Sequence, residues 1–138
     1  MTETTIAEAL QDHSASRHAF LRDQIASAAG KVCSVDLDIC GQARRLRLDF
    51  NAWCEVERDA SAPGPVQAYR QIVDGRSSAA LVRAVILNGL KCGSGDPEFK
   101  PGPIVDRLLA EYPFAVAQGI AEVVVAAWLV GVDKPTEA

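Results

Sequence analysis

Four acidic side chains, Asp49, Glu55, Glu57 and Asp59, fall within eleven residues, a density at which paired carboxylates could do general acid–base work. That chemistry requires one carboxyl held protonated and its neighbour ionised, and nothing in the surrounding sequence supplies a separate pocket for either. Acids that complement a helix dipole in its first turns are the plainer explanation. His13 and His18 could ligate a metal or act as bases, but they are five residues apart, not the four that align two imidazoles on one helical face. No cysteine or carboxylate cluster completes a tetrahedral set around them, so they read as solvated surface histidines. Cys33, Cys40, Cys54 and Cys92 contain no C-x-x-C pair. Cys33 and Cys40 would face opposite sides of a continuous strand, and no disulfide across the hairpin is predicted. Gly93 and Gly95 belong to no phosphate-binding loop, and there is no G-x-S-x-G and no Cys–His pair with an orienting third group. The expectation is a protein that is not an enzyme, with no catalytic, cofactor-binding or metal-ligating residues.

The elements that carry these side chains are legible from their periodicity. Val35, Leu37 and Ile39 alternate with charges, and after a Gly-containing turn Leu46, Leu48 and Phe50 do the same. This pattern predicts a two-stranded ribbon near residues 32–50 with one apolar and one wet face. From Phe50 the period lengthens to that of a helix, with Phe50, Trp53 and Cys54 on one stripe and Asp49 or Asn51 as the cap. Pro63, Gly64 and Pro65 stop that helix and Pro65 opens the next, which carries Val66, Tyr69, Ile72 and Val73 on one side. Ser77 or Ser78 then caps a helix from about Ala79 to Lys91, with Gly93 beyond its end. The run GSGDPEFKPGP suits a mobile surface loop or lid. Pro103 opens a short helix, and the last helix runs from Phe114 to about Val132. Before the hairpin, residues 4–29 read as helical, either as one element or as two with a restart at Ser14, ending at Gly30. The fold class is α+β, mostly helical, with five to six helices and one hairpin. The domain reading is an N-terminal helical extension over 1–30, a hairpin-plus-helices domain over 31–132, and a frayed tail over 133–138.

The segment LRLDFNAWCEVE, following an alternating strand and a Gly turn, resembles the tail assembly chaperone family of tailed phages and gene transfer agents. There a hairpin ending in an L-x-L-x-F-N-A-like segment runs into a helix bearing Glu; here the matching positions are Phe50, Asn51, Ala52 and Glu57. The resemblance covers about residues 32–92 and, more loosely, the C-terminal helix; the first ~30 residues have no counterpart. It implies a chaperone that coats the tape measure protein and brings tail tube protein to it, without entering the finished particle. It also suggests that Glu57 could pair with a hairpin arginine. A structural virion component (a head–tail connector or tail completion protein) and a cytoplasmic adaptor that binds a partner helix are the alternatives.

Composition limits the partners. The 138 residues carry a net charge of −4 and a pI near 5.1, with basic residues scattered except at Arg44, Arg45 and Arg47. A nucleic-acid binder needs a concentrated basic footprint, so none is expected. Hydrophobic residues are 49% of the chain and mean hydropathy is +0.06, which excludes a disordered chain. The N-terminal MTETTIAEALQDH lacks the apolar core of a signal peptide, and a cytoplasmic location with reduced cysteines is expected. Across FAVAQGIAEVVVAAWLVGV only Gln118 and Glu122 are polar. A central glutamate and the lack of flanking basic or aromatic anchors argue against a membrane span. The helix is either a central core element or one that also serves self-assembly into a homo-oligomer, with Val123, Val124 and Trp128 as its contact residues. Arg44, Arg45 and Arg47 are partner-binding candidates toward an acidic surface, although arginines on the wet face of a ribbon also deter strand aggregation.

Overall fold

The computed structural model describes residues 4–133. In chain order it contains α1 (Thr4–Ala28), β1 (Lys31–Val32), β2 (Ser34–Ile39), β3 (Gln42–Arg47), α2 (Phe50–Ala60), α3 (Pro65–Val73), α4 (Ala79–Ser94), α5 (Gly102–Glu111), α6 (Phe114–Val130) and β4 (Val132–Asp133). Six helices and a small hairpin make this a mostly helical α+β fold, as the periodicity predicts. The described residues divide into two compact units, one ending at Lys31 and the other beginning at Val32.

In the first unit α1 is a single unbroken helix. It contains neither proline nor glycine, so nothing at Ser14 interrupts it. Ile6, Leu10, Phe20, Leu21 and Ile25 are all exposed, and the Arg17 guanidinium lies 5.0 Å from the centre of the Phe20 ring. Gly30 follows at φ +85, a conformation open to glycine.

In the second unit β2 and β3 pair antiparallel, with Val35 opposite Leu46, Leu37 opposite Arg44 and Asp36 opposite Arg45. The two-residue turn places Cys40 at φ 54 and Gly41 at φ 83, the positive-φ pair that suits the twist of a tight hairpin. Ile39, Leu46 and Leu48 are buried, and the helices cover this face as an isolated ribbon requires.

Asp49 ends the ribbon with extended backbone, and its carboxylate accepts from the Ala52 N–H at 2.7 Å, capping α2. The helix then buries Ala52, Trp53 and Val56, leaving Cys54 exposed and Phe50 76% exposed. This corrects the Phe50–Trp53–Cys54 stripe. At about 100° per residue, Phe50 sits roughly 110° from the middle of the buried arc. The next helix is corrected likewise: α3 opens on Pro65 and buries Ala68 and Ile72, while Val66 and Val73 are exposed.

Helix α4 starts at the Ser78 cap, where the hydroxyl accepts from the Leu81 N–H at 3.1 Å. It continues past Gly93 to Ser94, and Gly95 at φ +67 forms the actual stop. Gly93 has a different role from the expected one, because a Cβ there would lie 2.2 Å from the Arg45 carbonyl oxygen. Glycine thus lets α4 lie directly on β3. The following loop is pinned: Asp96 accepts from the Glu98 N–H at 2.9 Å, and Phe99 packs on the core. Pro101 precedes α5, which buries Val105 and Leu108. The last helix ends at Val130, and Asp133, expected in a frayed tail, lies in β4; the rest of that tail falls outside the described residues.

Candidate functional site

No helix among the described residues is long and apolar enough to cross a membrane, so the composition of α6 has to be explained within the folded unit. Its inner side buries Ala117, Ala121, Val124, Val125 and Ala127. These residues are small or β-branched, so α6 sits close to α4; Val124 approaches the position a Gly89 Cβ would occupy to 3.3 Å. Gln118 donates its Nε2 hydrogen to the Ile72 carbonyl oxygen at 2.8 Å, tying α6 to the last turn of α3. Trp128 stacks on Trp53 with ring centroids 5.7 Å apart, fixing α6 against α2.

The opposite side of α6 is apolar too. Val116, Val123 and Val130 are 40%, 44% and 75% exposed and recur every seven residues, with Gly119 and Ala126 half-buried beside them. A seven-residue repeat keeps side chains on one stripe of a helix, and a stripe of this kind is the pattern a partner helix docks on. Glu122 is the sole charge along the helix, and it too is half-buried. Phe114, exposed at its first turn, extends the apolar surface.

The residues expected to bind a partner are therefore not one surface. Val123 lies on the outer stripe. Val124 is 0% exposed, one helical step away in the core, and cannot touch a partner while the domain is folded. Trp128 is half-buried in its stack with Trp53. Val116 and Val130, which the sequence reading missed, join Val123; their spacing was the available signal.

The three arginines also separate. Arg45 and Arg47 alternate onto the wet face, where Arg45 Nε meets the Asp36 carboxylate at 3.1 Å. Arg44 does not share that face. Opposite Leu37, it turns to the ribbon's inner side, its guanidinium 5.5 Å from the centre of the Phe99 ring and donating to Gln42 Oε1 at 2.8 Å. Strict alternation from Leu46 places it there. Glu57 pairs with no hairpin arginine; its carboxylate accepts the Trp53 indole N–H at 3.1 Å, orienting the ring for the Trp128 stack.

The chemistry-bearing residues give no converging cluster. His13 and His18 are exposed on α1, and the described residues contain no group of three or more His, Cys, Asp or Glu able to hold a metal ion. The four acids of the sequence cluster are each engaged separately. Asp49 caps α2, Glu55 pairs with Arg58, Glu57 holds Trp53, and Asp59 accepts from Asn88 at 3.3 Å. All four cysteines are free, and the Cys92 thiol is pushed up by burial and then by the neighbouring Asp49 carboxylate, the opposite of an activated nucleophile.

No protein-family model, curated protein or solved structure matches this chain.

Proposed function

We propose that this protein is a non-enzymatic assembly chaperone of phage or phage-like tails, acting in the host cytoplasm on the tape measure protein and tail tube protein. The observation that carries the reading is the heptad-spaced outer stripe of α6, Val116, Val123 and Val130. A tape measure protein is long and helical, and an apolar helical stripe offers it a partner face without a deep, irreversible pocket. A holdase needs a grip that tube polymerisation can displace, and weak contacts repeated over many subunits provide one. The same stripe can join copies of the chaperone into oligomers, which would supply that repetition. The resemblance of LRLDFNAWCEVE to the chaperone family adds independent support.

Co-expression with a tape measure protein, followed by sedimentation analysis, tests the reading. The expected result is a soluble co-complex that Val123→Glu and Val130→Glu together disrupt, with the chaperone missing from purified particles. A monodisperse monomer at high concentration, with or without tape measure protein, would overturn it. Recovery of the protein in stoichiometric amounts from finished particles would instead identify a structural virion component.

A further inference from the structure

Residues 5–28 of α1 are all exposed, although the helix does not have the sequence of a solvated one. At about 100° per residue, Ile6, Leu10, His13, Arg17, Phe20 and Leu21 fall within an arc of roughly 100°, while Glu8 and Arg22 point to the far side. Helices in proteins draw most of their stability from one packed apolar face, so α1 carries a face that calls for a partner. A second α1 is a poor one. The middle of the stripe is Arg17 with His13 one turn before it, and Arg17 makes no ion pair among the described residues. Pairing two such stripes would set Arg17 against Arg17 or His13, with no carboxylate in either.

The outer face of α6 carries the opposite sign. Glu122 flanks the valine stripe at mid-length, is half-buried, and makes no hydrogen bond or ion pair among the described residues. Two α6 helices paired through Val123 would bring their Glu122 carboxylates together, a like-charge contact that costs affinity. Set against each other, the stripes of α1 and α6 instead neutralise their charges. They also agree in length: Ile6 and Phe20 are fourteen residues apart, as are Val116 and Val130, roughly 21 Å along either helix. Laid antiparallel with Ile6 at Val130 and Phe20 at Val116, the helices place Glu122 between His13 and Arg17. In the same register Leu10 meets Ala126 and Arg17 meets Gly119, where a Cβ would find nothing within 4 Å. Long side chains of one helix thus fall on small ones of the other, the condition for close packing.

We propose that the valine stripe of α6 docks helix α1 of a second copy of this chain, antiparallel, with Arg17 and His13 of one copy around Glu122 of the other. Both faces are exposed within one chain, so each is free to take a neighbour. The faces are unlike, and the contact therefore either closes reciprocally between two chains or continues head to tail from chain to chain. The inference deepens the chaperone reading by naming what joins the copies, and it rests on that reading in treating the valine stripe as a docking face. A client helix that takes the stripe displaces the neighbour's α1.

The test is sedimentation equilibrium of the full chain with charge reversals. The wild type is expected to self-associate with a Kd on the order of 10–100 µM, which leaves the stripe bare at low micromolar concentration. Arg17→Glu and Glu122→Arg should each weaken association at least ~10-fold, since each sets like charges at the centre of the contact. An equimolar mixture of the two variants should associate within about 3-fold of the wild type, because each chain then offers the sign the other lacks. Glu8→Lys, on the far side of α1, should leave association unchanged, and Phe20→Ser should weaken it. Those two and Arg17→Glu lie at exposed positions and decide the matter if Glu122→Arg does not fold. An oligomer indifferent to the reversals, or a mixture no tighter than its components, would overturn this assignment and leave the chaperone reading to the tape measure co-complex. A wild type that stays monomeric at high concentration would overturn both.

Discussion

Helices α4 and α6 are the two most apolar segments of the second unit, and the fold covers them to different degrees. α4 lies on β3, is flanked by α2 and meets α6 on a third side, so that Leu81, Val82, Val85, Ile86 and Leu90 all disappear from solvent. α6 packs on α4, α3 and β2 with one side only and leaves its valine stripe outside. Even so, α6 has the less polar sequence of the two. Its excess apolarity is therefore not needed to fold the domain, and it lies along one face of the helix, while Phe50, Val66 and Val73 are exposed singly elsewhere in the unit. The chaperone reading proposed above assigns that face to a partner helix.

The sharpest way to break this contrast is to truncate each helix in turn. Ile86→Ala, in the fully enclosed part of α4, should cost about 2–5 kcal/mol in urea unfolding. Val123→Ala on the outer stripe of α6 should stay within about 0.5 kcal/mol. Comparable losses at both positions would mean that the outer stripe is already covered. Next in size is Gly93→Ala, which forces a methyl group against the Arg45 carbonyl and should cost about 1–3 kcal/mol by lifting α4 off β3. The same substitution at Gly119, where nothing lies within 4 Å, should be neutral or stabilising. Ser78→Ala removes the cap that starts α4 and should lower stability by about 1 kcal/mol, measurable in the same experiment.

The smallest effect concerns Cys92, near the end of α4. Burial holds its thiol protonated more firmly than in the unfolded chain, with Asp49 adding to the effect. The stability contributed by the neutral thiol is complete below the unfolded pKa of ~8.5 and is lost as pH rises through the folded value. Cys92→Ala should therefore flatten the alkaline fall in Tm without altering the curve near neutrality.

The hairpin, the Pro65 start of α3 and the Ser78 cap were readable because each depends on local chemistry: alternation, a fixed φ, a hydroxyl beside orphan N–H groups. What escaped the sequence was the rotational phase of α2 and α6. Phe50 looks like a core residue by its size, yet Asp49 sets where the helix begins, and close packing favours Ala52 on the inner side. Val123 and Val124 are chemically alike and one helical step apart, so only the neighbours of α6 decide which is buried. Gly93 illustrates the same limit. Along the chain it looks like a helix terminator, but the strand that requires it is distant in sequence. The outer stripe itself was within reach, since its heptad spacing is written in the chain.

The stacked indoles give the molecule an optical reporter. Trp53 and Trp128 are the chain's two tryptophans, they come from opposite ends of the second unit, and they touch only when α6 is docked. Their shared emission and near-ultraviolet dichroism thus follow the closing of that unit, and a client that pried α6 loose would announce itself as a change in fluorescence.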